Sequence, residues 1–129
     1  MRAQPICWML GPMSLRCLIV DDSEHFLRAA RSSLGRNGIE IVGTATTSAT
    51  ALDQVAKLRP DVVLVDIGLG EESGFSLTLQ LVDAFPYLAS RVVLISTRAE
   101  DDYGDLVEAS PAAGFIPKSE LSVSAVREL

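Results

Sequence analysis

Short apolar runs alternate with stretches of helical periodicity along this chain. Leu15–Val20, Val62–Asp66 and residues 91–96 are apolar at nearly every core position, without alternation. That pattern predicts strands covered on both faces. Ile39–Ala45 is less apolar and is expected nearer a sheet edge, and residues 115–117 form a short last strand. Between the runs, Phe26, Ala30 and Leu34, with Leu27 beside them, repeat with a helical period. Ser23 is placed as the N-cap, Glu24 suits the positive end of the helix dipole, and the glycines at 35 and 38 end the helix. Ala49, Leu52 and Ala56, with Val55, predict a second helix that Pro60 closes. A third starts near Gly74 or Phe75, with Phe75, Leu79 and Val82 on one face and Leu81 and Phe85 beside it, and stops at Pro86. Residues 100–109 give a weaker, more polar helix whose chief apolar residues are Leu106 and Val107. A short last helix follows the N-cap Ser122, with Leu121 and Val126 placed as a hydrophobic staple.

Five βα units of this kind predict an α/β fold with a doubly wound parallel sheet. Residues 14–129 are expected to be one domain, and residues 1–13 a tail outside the fold, with Met13 as a second possible start. Strand order cannot be read from the pattern.

Composition narrows the function classes. Of 129 residues, 48% are hydrophobic and 22% charged, in the range of globular domains, and the net charge is −6. An acidic balance argues against nucleic acid or an anionic membrane as this domain's direct partner. No apolar stretch approaches the ~18 residues of a membrane span, and the run 6–10 is too short for a signal peptide. The cytoplasm is the expected location. Cys17 lies inside the first buried run and Cys7 in the tail, so no disulfide is expected. A structural zinc site is excluded because His25 is the only histidine, itself expected on a helix surface.

The chemistry gathers where the strands end. Asp21 and Asp22 follow the first run, Asp66 ends the third, Ser96 the fourth, and Lys118 follows the last, while the second offers only Thr46 and Thr47. In a parallel sheet these ends share one crevice, where open α/β sheets bind ligands. Crowded carboxylates repel, and a hard divalent cation such as Mg²⁺ relieves them. Lys118 and Ser96 add a charge and a hydroxyl suited to phosphoryl oxygens, and a carboxylate can receive the phosphoryl group as an acyl phosphate.

At these residues the chain resembles the receiver domain of bacterial two-component response regulators. Asp22 to Asp66 spans 44 positions, Asp66 to Ser96 30, and Ser96 to Lys118 22, which are the family's spacings. The resemblance covers about residues 14–129 and implies the flavodoxin-like strand order 2-1-3-4-5; the chemotaxis receiver is a standard example of that order. It implies that Asp66 accepts phosphate from the phosphohistidine of a sensor kinase. Mg²⁺ would be held by Asp22, Asp66 and the backbone carbonyl of Gly68, with Asp21 acting through a bound water. Lys118 would pair with the phosphoryl group, Ser96 would move to bond it, and Phe115 matches the aromatic switch position. The face of helix four, strand five and helix five would then change, acting on a second copy or an output domain. Residues 114–121, Gly-Phe-Ile-Pro-Lys-Ser-Glu-Leu, look most like receivers joined to helix-turn-helix output domains, which implies transcription regulation. Two departures stand out. Gly70 replaces a frequent proline, which predicts a looser loop, and Ser119 follows Lys118 where the family has a cis proline.

Each residue alone has a plainer reading. Asp21 and Asp22 can be an acidic helix cap, Asp66 a turn former, Phe115 core, and Ser96 and Lys118 surface residues. Their joint spacing carries the resemblance. Gly68, Gly70 and Gly74 imitate a dinucleotide fingerprint, but the third glycine comes one residue late and Glu71 and Glu72 would repel a pyrophosphate. An aspartyl phosphatase of the haloacid-dehalogenase type needs a second Asp where Gly68 stands. A receiver-like scaffold that binds partners without phosphorylation is the remaining alternative. The expected role is that of a phosphoacceptor rather than an enzyme.

Overall fold

The computed structural model describes residues 15–36, 38–97 and 104–127. The tail at 1–13 and the first residues of the fourth predicted helix, 100–103, lie outside them. In chain order the elements are β1 (Leu15–Val20), α1 (Glu24–Gly35), β2 (Ile39–Ala45), α2 (Ser48–Leu58), β3 (Val62–Asp66), α3 (Gly74–Ala84), β4 (Val92–Ser96), α4 (Gly104–Ala109), β5 (Gly114–Pro117) and α5 (Val123–Arg127).

The five strands form one parallel sheet in the order β2-β1-β3-β4-β5. The flavodoxin-like order is therefore present, with β2 at the edge as its weaker apolar content requires. Because neighbouring side chains on a strand face opposite ways, the apolar runs feed two cores. Leu18, Val20, Val63, Val65, Val92 and Leu94 join Ala51, Val55, Leu77, Leu81 and Val107 on the face covered by α2, α3 and α4. Cys17, Ile19, Leu64, Val93 and Ile95 join Leu27, Ala30, Leu34 and Val126 on the face of α1 and α5. Cys17 is fully buried, and burial pushes its thiol up to about 12.

Side-chain caps fix where the helices begin. The Ser23 hydroxyl accepts from the Phe26 amide at 3.2 Å, Thr47 from Thr50 at 3.2 Å, and Ser73 from Phe75 at 3.1 Å. Ser122 accepts from the Ala125 amide at 3.0 Å, and Leu121 and Val126 join the same core, as a staple requires.

Two helical stripes differ from expectation. In α2 the buried residues are Ala51 and Val55, while Ala49 and Ala56 are exposed. Alanine methyls are too small to set the rotation, and the larger Val55 decides it. In α3 the buried face is Gly74, Leu77, Thr78 and Leu81, and Leu79 is 58% exposed. Gly74 fixes that phase. A Cβ there would overlap the backbone oxygen of Asp66, so α3 must present this glycine to β3. In α4, Val107 is buried and Leu106 exposed.

The loop after Asp66 is a small antiparallel hairpin, with Gly68 paired to Ser73 and Leu69 to Glu72. Gly70 takes φ 63°, at the position where type II′ hairpin turns demand glycine. Proline, locked near −65°, cannot occupy that conformation. The expected loosening is thus replaced by a closed turn, tied further by Glu72, whose Oε1 accepts from the Ser48 amide of α2 at 2.8 Å.

Candidate functional site

The chain leaves β1 for the edge strand β2 and crosses back to β3, so the sheet order reverses between β1 and β3. A crevice opens outside the carboxyl ends of these two strands. Asp21 and Asp22 enter it from β1 and Asp66 from β3. One carboxylate oxygen from each lies within 4.8 Å of the others.

The three carboxylates are not equivalent. Asp21 is fully buried, and its Oδ1 accepts from the Ser23 amide at 2.9 Å. Its Oδ2 lies 2.5 Å from Lys118 Nζ, but without hydrogen-bond geometry, and makes no hydrogen bond within the protein. Asp22 is exposed and flanks Gly70. Asp66 is 7% exposed; its Oδ1 accepts a long 3.4 Å bond from the Gly68 amide, and its Oδ2 lies 3.5 Å from Lys118 Nζ. Burial, and then the charge of Asp21, push the Asp66 carboxyl up to about 6, against the opposing pull of Lys118 and the Gly68 amide. Lys118 sits nearer Asp21 than Asp66, which leaves the Asp66 charge incompletely compensated.

Lys118 comes from the turn after β5 and is itself mostly buried, its side chain 13% exposed. The bond to Ser119 is trans, as are all described peptide bonds. Ser96 ends β4 and is buried; it is one residue beyond Ile95, which pairs with Asp66 across the sheet. Phe115 lies on β5 opposite Leu94 and points into the core on the α4 side, packed in one cluster with Val107 and Ala112. The structure thus gathers the carboxylates of Asp21, Asp22 and Asp66 and sets Lys118 against Asp21 and Asp66. It places Gly68 and Ser96 at the ends of the strands around them, and Phe115 inward from that level.

Two contributors were not anticipated. Glu72 anchors the hairpin, as described above. Phe26, expected as core, is only half-buried and lies with its ring centroid 4.3 Å from Lys118 Nζ. A signal was available: with Ser23 as N-cap, Phe26 stands in the first turn of α1. Helix side chains lean toward the N-terminus, so this ring leans toward the strand ends.

The donor set fits a hard cation. Three carboxylate oxygens converge, and Asp21, which supplies one of them, has a buried Oδ2 that is paired with Lys118 but makes no hydrogen bond. Among the described residues no helix is long and apolar enough to cross a membrane.

A family model described as the response regulator receiver domain matches residues 17–126. A protein-glutamate methylesterase/protein-glutamine glutaminase of Alkalilimnicola ehrlichii is 35% identical over 87% of this chain and 29% of its own length. The DNA-binding transcriptional activator EvgA of Escherichia coli is 27% identical over 82% of this chain and 51% of its own. The chain therefore spans between under a third and about half of these relatives. The signal receiver domain of NarL from Mycobacterium tuberculosis superposes with a TM-score of 0.77 at 29% identity, over 91% of this chain and 96% of that one.

Proposed function

Because the chain belongs to the response regulator receiver domain family, we propose that Asp66 is the acceptor of a phosphoryl group from the phosphohistidine of a sensor kinase. The observation that carries this reading is the asymmetric crevice, where a buried carboxylate with a raised pKa lies 3.5 Å from a lysine that already has a closer partner. At pH 7 Asp66 is ionised and under-compensated, the state a nucleophilic carboxylate needs. One of its oxygens attacks phosphorus in line, the N–P bond breaks, and its electron pair leaves with the donor imidazole. Lys118 lies within reach of the new phosphoryl oxygens, and the Ser96 hydroxyl is a donor at the neighbouring strand end.

Asp22, Asp66 and the Gly68 carbonyl would hold Mg²⁺, with Asp21 acting through a bound water. The ion supplies neutralisation of the phosphoryl charge. Occupancy would be read by Ser96 and Phe115 and passed to the α4, β5 and α5 surface. Phe115 is inward in this structure, so the switch reading requires a second, outward position. α4 suits the mobile part: of its residues only Val107 is buried. That surface would then dock a second copy or an output domain in the cytoplasm. The EvgA relative and the 114–121 segment favour transcription regulation as the output.

Incubation with Mg²⁺ and acetyl phosphate should give one phosphoryl adduct by intact mass, absent in Asp66→Asn. The phosphorylated sample should also change mass or shape in equilibrium sedimentation. An adduct that survives in Asp66→Asn overturns the acceptor assignment. No adduct on wild type favours the scaffold reading.

A further inference from the structure

The ammonium of Lys118 is held from three sides: by Asp21 at 2.5 Å, by Asp66 at 3.5 Å, and by the ring of Phe26 at 4.3 Å from its centroid. These holds differ in kind. Asp21 draws the ammonium toward β1 and away from Asp66. A phosphoryl group on Asp66 would need it on the other side, and any cation among the carboxylates weakens both ion pairs. The aromatic face attracts an ammonium through its quadrupole. That attraction is independent of protonation or occupancy of the carboxylates, and a neutral ring does not compete for the ammonium as a carboxylate does.

The backbone that carries the ring is itself fixed. Ser23 caps α1 by accepting from the Phe26 amide at 3.2 Å, and the next residue, Leu27, is buried in the core. Phe26, Ala30, Leu34, Leu121 and Lys118 also line a cavity of about 150 Å³. A lysine stem without the ring has that space to swing into, away from the crevice.

We propose that Phe26 is a positioning residue for Lys118, its π face holding the ammonium within reach of the group on Asp66. This rests on the reading of Asp66 as acceptor. The cap of α1 is thereby linked to the reacting carboxylate through ring and ammonium.

The test replaces Phe26 by phenylalanines carrying one, two and three ring fluorines, which keep shape and apolarity while weakening the quadrupole stepwise. The rate of adduct formation with acetyl phosphate and Mg²⁺ should fall with each fluorine, to about a tenfold loss, while melting temperatures stay unchanged. Phe26→Trp should match or exceed wild type. In the unphosphorylated protein, the Lys118 ε-protons should show an aromatic ring-current shift that disappears in Phe26→Leu. A flat rate across the fluorinated series, or no ring-current shift, overturns the proposal while leaving the acceptor reading intact. Absence of the wild-type adduct removes both.

Discussion

At Asp66 burial and a neighbouring carboxylate oppose ionisation, while Lys118 and the Gly68 amide favour it, and the first pair prevails. The carboxyl is raised from 3.8 to about 6, so the folded chain binds this proton more tightly than the unfolded chain does. The sign follows from linkage: this contribution favours folding below pH 4 and is lost as pH rises through about 6, costing at most on the order of 3 kcal/mol at pH 7. Asp66→Asn in EDTA should therefore melt several degrees above wild type at pH 7, and its melting temperature should change less between pH 4 and 6. Mg²⁺ should raise the wild-type value and narrow the gap. An Asn variant that melts at or below wild type in EDTA would contradict this balance. Asp66 was legible because its spacing to Asp22, Ser96 and Lys118 excludes the plainer reading as a turn former that it has alone. Phe26 was not: a helical period gives a side chain's face but not its level along the axis, and the level is what sets this ring against Lys118.

Among the elements, the strands were legible nearly to the residue because the inner runs are apolar on both faces and every run is flanked by polar or turn residues. The rotation of α3 was not. Leucines at 77, 79 and 81 and aromatics at 75 and 85 offer two plausible stripes. The contact that chooses between them lies outside the helix, at the Asp66 carbonyl against which Gly74 packs. The consequence is measurable by urea denaturation. Leu77→Ala should cost about 2–5 kcal/mol, whereas Leu79→Ala should change stability by less than about 0.5 kcal/mol. Equal costs would mean the stripe had been assigned wrongly. The hairpin escaped the sequence for a related reason. Two bonded pairs between glycine-rich, charged residues carry no alternation, and the turn is specified by one left-handed glycine at position 70.

Over the whole molecule, the reversal of sheet order between β1 and β3 puts the acidic crevice at one end and leaves the strands on either side sealed between two helical layers. That sealing gives Cys17 a second use. Cys17 stands on β1 between Ile41 of β2 and Val62 of β3, and its side chain packs into the core under α1 and α5 with no exposed surface. Burial also keeps that thiol protonated, its pKa pushed up to about 12. Alkylation must therefore wait until the helical layer packed on β1 opens, and its rate becomes a clock for that event. In a Cys7→Ser background, iodoacetamide labelling should be far slower than for a free thiol and should accelerate steeply with urea. Labelling at the free-thiol rate would show that the layer over β1 opens freely. If Mg²⁺ or phosphorylation tightens the crevice, the same thiol, which touches neither, should record it as a longer waiting time.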